Sequence, residues 1–307
     1  MSKKILAYGE AMVEFNQSIE TPHYYLEGFG GDTSNFCIAA ARQGADAGYV
    51  SAVGDDHFGK SLQALWEAER VDATHVDIVP HAPSGVYFVT HDEEGHQFTY
   101  LRAGSAASRY TPAQLPLQAI ADAEVLHLSG ISLAISESAC DAGLTAMAHA
   151  RKNGTLTSLD TNLRLRLWPL ERARAKMAEA FALCDICLPS WEDVSALTGL
   201  DDRDAIVDRL LVYGVKLVAF KLGKEGCYVA TPTERRMVAA YAVDAIDATG
   251  AGDCFGGAFV SQLVAGKNPF DAARYANVAA AISTTGYGAV APIPTTEQVN
   301  AVLNRQG

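Results

Sequence analysis

A chain of 307 residues, 49% apolar and 20% charged, has the length and balance of a globular protein with a sizeable buried core. Its formal charge of −12 argues against an extended nucleic-acid surface, which needs a basic face, but leaves room for a local positive pocket. No apolar run reaches the length of a membrane span, and Lys3-Lys4 lead straight into a strand-like segment with no secretory signal, so a cytoplasmic protein without a membrane partner is expected.

The first apolar run, 5–8, reads as a strand, and 12–29 alternates Val, Phe and Tyr in the manner of antiparallel strands. Helix 34–43, strand 47–53 and helix 60–68 follow, and then 84–102 returns to the alternating pattern. From there strands 125–129, 155–159, 186–188 and 216–221 alternate with helices 137–152, 170–183 and 203–213. Two more helices, 252–264 and 269–284, close the series. Such alternation predicts an α/β fold: a mainly parallel sheet flanked by helices. The two alternating stretches predict a small β lid over the carboxyl edge of the sheet, where open α/β sheets bind ligands. With no repeat or linker, residues 1–307 read as one domain. Six cysteines without clustered spacing read as reduced thiols; Cys184 and Cys187 have no second C-x-x-C to complete a zinc site.

The stretch Asp247-Ala248-Thr249-Gly250-Ala251-Gly252-Asp253 runs directly into an apolar helix. Glycines permit a tight turn with converging N–H groups, and the helix adds its free amides and positive dipole end, so the turn is suited to phosphate oxygens. A carboxylate at Asp253, beside that anion, suits a group that accepts a proton from an attacking hydroxyl, although an N-cap role is equally open from the turn alone. Gly9-Glu10-Ala11 after the first strand lacks the G-x-G-x-x-G of a dinucleotide site.

A second motif, Gly30-Gly31-Asp32-Thr33-Ser34-Asn35, precedes Gly44 and Gly54. Lys221-Leu222-Gly223-Lys224-Glu225-Gly226 and Gly288-Ala289-Val290-Ala291-Pro292-Ile293-Pro294 follow in order. Over essentially its whole length the chain resembles the ribokinase-like (phosphofructokinase-B) carbohydrate kinases, whose turn is D-T-x-G-A-G-D. Ala248 replaces the Thr, and Ser190-Trp191-Glu192-Asp193 stands for their N-x-x-E. Within the family, Tyr100-Leu101-Arg102-Ala103-Gly104-Ser105 and Asp160-Thr161-Asn162-Leu163-Arg164, before Leu167-Trp168-Pro169, resemble blocks of the 2-keto-3-deoxygluconate kinases. Fructokinases share part of the second block.

The resemblance implies ATP and Mg²⁺ as cofactors, with K⁺ a family possibility. It implies Asp253 as base, with the amides of Gly250, Ala251 and Gly252 around the transferred phosphoryl. Gly30, Gly31, Asp32, Asn35, Tyr87, Tyr100, Arg102 and Arg164 would meet the sugar. Asp32 is read equally as a helix cap; a Tyr on a β flap is often plain packing, yet Tyr87 and Tyr100 match the block that contacts the acid sugar in similar kinases. Asn162, Ser190, Lys221, Gly223, Gly226 and Asn277 would meet the nucleotide, Asp193 or Glu192 a hydrated Mg²⁺, and Asp247 a monovalent cation. Two guanidiniums at the cleft suit a carboxylate, so Arg102 and Arg164 favour an acid sugar. Their alternative is that Arg164 meets ATP phosphates and Arg102 pairs with an acidic neighbour. Exposed lid edges imply a homodimer or a larger homo-oligomer.

Overall fold

The computed structural model describes residues 4–18, 20–92 and 95–305. Lys3, and residues 19, 93 and 94 of the two expected lid stretches, lie outside the described residues. The strands are β1 (Lys4–Tyr8), β2 (Met12–Gln17), β3 (Tyr25–Gly30), β4 (Asp46–Gly54), β5 (Asp72–Val79), β6 (Gly85–Asp92), β7 (Gly95–Leu101), β8 (Val125–Ser129), β9 (Leu156–Asp160), β10 (Ile186–Leu188), β11 (Leu217–Lys221), β12 (Gly226–Ala230) and β13 (Arg235–Ala239). Nine of them form one sheet in the order β13-β12-β11-β10-β9-β8-β1-β4-β5. From β11 to β5 all neighbours are parallel, as expected from the alternation of strands and helices. At the other edge β12 and β13 return antiparallel.

The helices are α1 (Asp32–Arg42), α2 (His57–Ala68), α3 (Leu117–Asp122), α4 (Gly130–Ala134), α5 (Glu137–Asn153), α6 (Leu170–Leu183), α7 (Trp191–Thr198), α8 (Arg203–Tyr213), α9 (Ala251–Val264), α10 (Pro269–Ser283) and α11 (Thr296–Leu303). They cover both sheet faces, which is why the central strands are apolar on consecutive residues rather than on alternate ones. In β1, Leu6 and Tyr8 enter the core shared with α5, α6 and α8, while Ile5 and Ala7 enter the core shared with α1, α9 and α10. All six cysteines are free and buried in these cores. Among the described residues no helix is long and apolar enough to cross a membrane.

The lid is a separate four-stranded sheet in the order β3-β2-β6-β7. Its hairpins β2–β3 and β6–β7 are antiparallel, as expected, but the central pair β2–β6 is parallel. The correction has a simple cause: β1 and β5 run parallel in the main sheet, and each feeds its own lid strand in the same direction. Val13 and Val86 of the lid pack in the same buried cluster as Ile5 and Val53, so the lid is rooted in the core.

Candidate active site

A cleft of about 1650 Å³ lies between the carboxyl edge of the main sheet and the lid. Chain topology delivers the polar residues: Glu10 follows β1, Asp160 ends β9, Ser190 follows β10 and Lys221 ends β11. Every residue expected to meet sugar, nucleotide or Mg²⁺ lines this cleft; Asp247 does not.

At the glycine turn, Gly250 is the N-cap of α9 with φ 73°, and a Cβ there would come within 3.0 Å of the Ala289 backbone. Of the three amides expected to face an anion, that of Ala251 is committed to the Ala248 carbonyl at 3.2 Å. The first amide bonded along α9 belongs to Cys254, on Gly250 O at 2.9 Å, so the Gly252 and Asp253 amides point off the helix end. Lys221 borders them, its Nζ lying 3.3 Å from where a Cβ on Gly252 would stand. Two backbone amides and an ammonium thus lie side by side at the start of α9.

Asp253 is in the first turn of α9, not at its cap, which disposes of the N-cap reading. Asn35 Nδ2 donates to its Oδ2 at 2.9 Å. Burial and the nearby Asp32 push the Asp253 carboxyl well above the usual range, against the Asn35 hydrogen bond and the Lys221 charge. Asn35 Oδ1 is buried with no partner among the described residues, an acceptor facing the same region. The N-cap of α1 is Gly31 at φ 109°, so Asp32 is not the cap; its Oδ1 accepts from Thr33 N at 2.9 Å and its Oδ2 from Asn162 Nδ2 at 2.7 Å. Gly30 has a packing reason of its own, since a Cβ there would meet the Tyr87 hydroxyl oxygen at 2.3 Å.

Under the lid, Tyr87 donates its hydroxyl to the buried Glu14 and stacks on Tyr100 with ring centroids 5.5 Å apart. Burial, then the Glu14 charge, holds the Tyr87 hydroxyl protonated far above its ordinary range. Arg102 takes the acidic-neighbour alternative: its Nε donates to Glu10 Oε2 at 2.7 Å, and Ser105 Oγ donates to Glu10 Oε1 at 2.5 Å. Arg164 is exposed, and its Nη1 donates to the Leu163 carbonyl at 2.9 Å. Arg166 lines the cleft beside it and reaches the Phe98 carbonyl of β7 at 3.5 Å. Glu10 and Arg166 were not foreseen. An acidic residue just beyond the first strand was the available signal for Glu10; nothing local distinguishes Arg166 from a surface arginine.

On the other side, Lys221 is ion-paired with Asp160. Burial works against the Lys221 charge, but Asp160 outweighs it and raises the ammonium's pKa. Thr161 Oγ1 donates to Asp193 Oδ2 at 3.3 Å, while Glu192 is exposed. Gly223, in the turn before β12, and Gly226, the first residue of β12, take φ of 55° and 108°. Asn277 Nδ2 donates to the carbonyls of Val238 at 2.9 Å and Ala239 at 3.0 Å, so this side chain holds β13 in place. Asp247 lies behind the turn: its Oδ1 accepts from Thr249 N at 2.9 Å and Oγ1 at 2.7 Å, and its Oδ2 from Gly288 N at 2.9 Å. Among the described residues no three His, Cys, Asp or Glu side chains converge as a metal cage. Two carboxylates at the start of α7 do fit a Mg²⁺ that keeps its waters and rides on phosphates.

The chain matches the pfkB family carbohydrate kinase description over residues 2–296. It is 34% identical over 314 residues to Fructokinase-1 of Oryza sativa subsp. japonica, covering 97% of each chain. It is 32% identical over 308 residues to 2-dehydro-3-deoxygluconokinase of Thermoproteus tenax, covering 97% of this chain and 94% of that one. A solved chain from E. coli, described as a ribokinase II in complex with ATP and Mg²⁺, superposes with a TM-score of 0.92 at 27% identity, over 99% of this chain and 100% of that one.

Proposed function

The chain belongs to the pfkB family of carbohydrate kinases, and we propose that it transfers the γ-phosphoryl of ATP to the C6 hydroxyl of 2-keto-3-deoxygluconate. The observation that carries the choice of substrate is the pair Arg164 and Arg166, lining the same cleft as Arg102, whose charge Glu10 takes up. A sugar acid gives such guanidiniums a carboxylate to hold; a neutral hexose gives them none. Likeness to the Thermoproteus tenax enzyme supports the same reading.

In this account the C6 hydroxyl approaches Asp253, which takes its proton as the oxygen attacks phosphorus. The raised proton affinity of Asp253 suits a base acting near neutral pH. Gly252 and Asp253 amides, with Lys221, hold the charge of the phosphoryl group as it moves. Asp193 and Glu192 would hold a hydrated Mg²⁺, which when bound would supply neutralisation of phosphate charge. Ser190, Gly223 and Gly226 border the nucleotide, and Asp247 would be a ligand of a bound K⁺. Tyr87 and Tyr100 close over the sugar and exclude water, which limits wasteful ATP hydrolysis. Residues 1–307 act as one kinase domain, and the exposed Tyr24, Leu26 and Leu101 of the lid meet a second copy.

A second reading has its own support. Glu10 offsets the charge of Arg102, and the 34% identity to a fructokinase is no weaker than that to the acid-sugar kinase. Turnover assays with Mg-ATP separate the two: 2-keto-3-deoxygluconate preferred over fructose upholds the proposal, and the reverse order overturns it.

A further inference from the structure

Asn162 stands where the Asp160-Thr161-Asn162 turn leaves β9, and it is one of three non-glycine described residues at positive φ, at 27°. Such a conformation persists only where the surroundings enforce it. They are tight here: a Cβ on Gly130 would come within 2.1 Å of the Thr161 carbonyl oxygen and 3.3 Å of the Asn162 carbonyl oxygen. The Asn162 amide N donates to Asp160 Oδ1 at 3.3 Å, and Asp160 is in turn paired with Lys221 beside the glycine turn. The side chain, 9% exposed, goes the other way and gives Nδ2 to Asp32 Oδ2 at 2.7 Å. The backbone of Asn162 is therefore tied to the phosphate side of the cleft and its amide group to the start of α1.

We propose that Asn162 is a positioning residue of the sugar site, orienting the Asp32 carboxylate toward sugar hydroxyls rather than binding nucleotide phosphate. The inference rests on the cleft being the site of a sugar kinase, not on which sugar enters it. Asp32 and Asp253 face one cleft with like charge, and each is held by a neutral amide from a different element: Asn35 for Asp253, Asn162 for Asp32. The other Asp32 oxygen accepts from its neighbour Thr33, so among the described residues Asn162 supplies the long-range anchor that fixes the carboxylate's direction. An amide does this without cancelling the charge, and so leaves Asp32 a strong acceptor for a hydroxyl.

The test uses Asn162→Gly, which suits the positive φ and removes only the side-chain anchor, assayed with whichever of 2-keto-3-deoxygluconate and fructose the unaltered enzyme turns over. Sugar KM should rise on the order of tenfold with ATP KM held within about twofold. In an Asp32→Asn background the same change should shift sugar KM by less than about twofold, because the group it positions is already altered. Mg-ADP affinity, read by calorimetry without any sugar, should be unchanged. A parallel rise in ATP KM, a loss of Mg-ADP affinity, or full additivity with Asp32→Asn would overturn the proposal. If the Gly variant does not fold, Asn162→Ser, which adds no charge beside Asp32, decides by the same readouts. Failure of the acid-sugar reading shows separately, in the substrate preference of the unaltered enzyme.

Discussion

Asn35 Nδ2 donates to Asp253 Oδ2 at 2.9 Å, joining the first turns of two helices that lie 218 residues apart in the chain. The contact exists because α1 and α9 approach closely, and glycine allows that approach: a Cβ on Gly257 would lie 2.4 Å from Phe36 O and 2.9 Å from Ala40 N. Both are backbone atoms that cannot swing aside. Helix packing thus sets the geometry of the proposed base.

Gly257→Ala should therefore destabilise the protein by about 1–3 kcal/mol through overpacking. It should also lower kcat, since spreading α1 from α9 lengthens the Asn35–Asp253 contact. Denaturant unfolding and turnover on the same sample check both effects. Wild-type kcat in a destabilised variant would separate the packing from the chemistry.

Asp253→Asn should lower turnover by at least ~10²-fold while leaving ATP binding intact. Its effect on stability has the opposite sign. A carboxyl whose folded pKa is raised contributes stability that is full below its unfolded pKa, about 3.9, and lost as pH rises through the folded value. Ionised Asp253 is thus a burden near neutrality, and the Asn variant should melt higher at pH 8 with the gain gone near pH 3. Melting curves at the two pH values measure it; a variant that melts lower at pH 8 would contradict the buried-carboxylate argument.

The same shift predicts a pH–rate profile. kcat/KM for the sugar should fall on the acid side with a pKa well above the ordinary carboxylate range, because the base must be ionised in the free enzyme. In Asp253→Asn that limb should vanish from the residual rate. Persistence of the limb would assign it to another group.

Arg102 and Arg164 should part company on mutation. Glu10→Gln leaves the buried Arg102 without its counter-charge and should cost roughly 3–5 kcal/mol of stability, read by denaturant unfolding. Arg164→Ala removes an exposed side chain and should change stability by less than about 0.5 kcal/mol. For KM the order reverses: Arg164→Ala should raise that for the acid sugar about tenfold or more, with little effect on any neutral sugar. Equal effects on both sugars would assign Arg164 to ATP phosphates.

Much of this was legible in the chain because it is local. Parallel strands buried on both faces write themselves as short apolar runs, and β8, β10, α6 and α8 fall at the expected residues. The glycine turn and the Gly30–Asn35 segment announce themselves by spacing. Partners remote in sequence were not legible. Nothing near Arg102 says that Glu10 will hold it, and nothing near Asn162 points to Asp32. The parallel β2–β6 pairing depends on the direction of β1 and β5, which no local pattern carries. Strand β5, DATHVDIV at a half-exposed edge, and strand β13, RRMVA, lack the continuous apolar runs of the core strands.

The most direct test of the central claim is ADP release from Mg-ATP against 2-keto-3-deoxygluconate, 2-keto-3-deoxygalactonate, gluconate, fructose and ribose. The account predicts kcat/KM for the keto-deoxy acids well above that for either neutral sugar. A preference for fructose or ribose would contradict the role given to the arginines, and turnover of none of the five would remove the proposed reaction altogether.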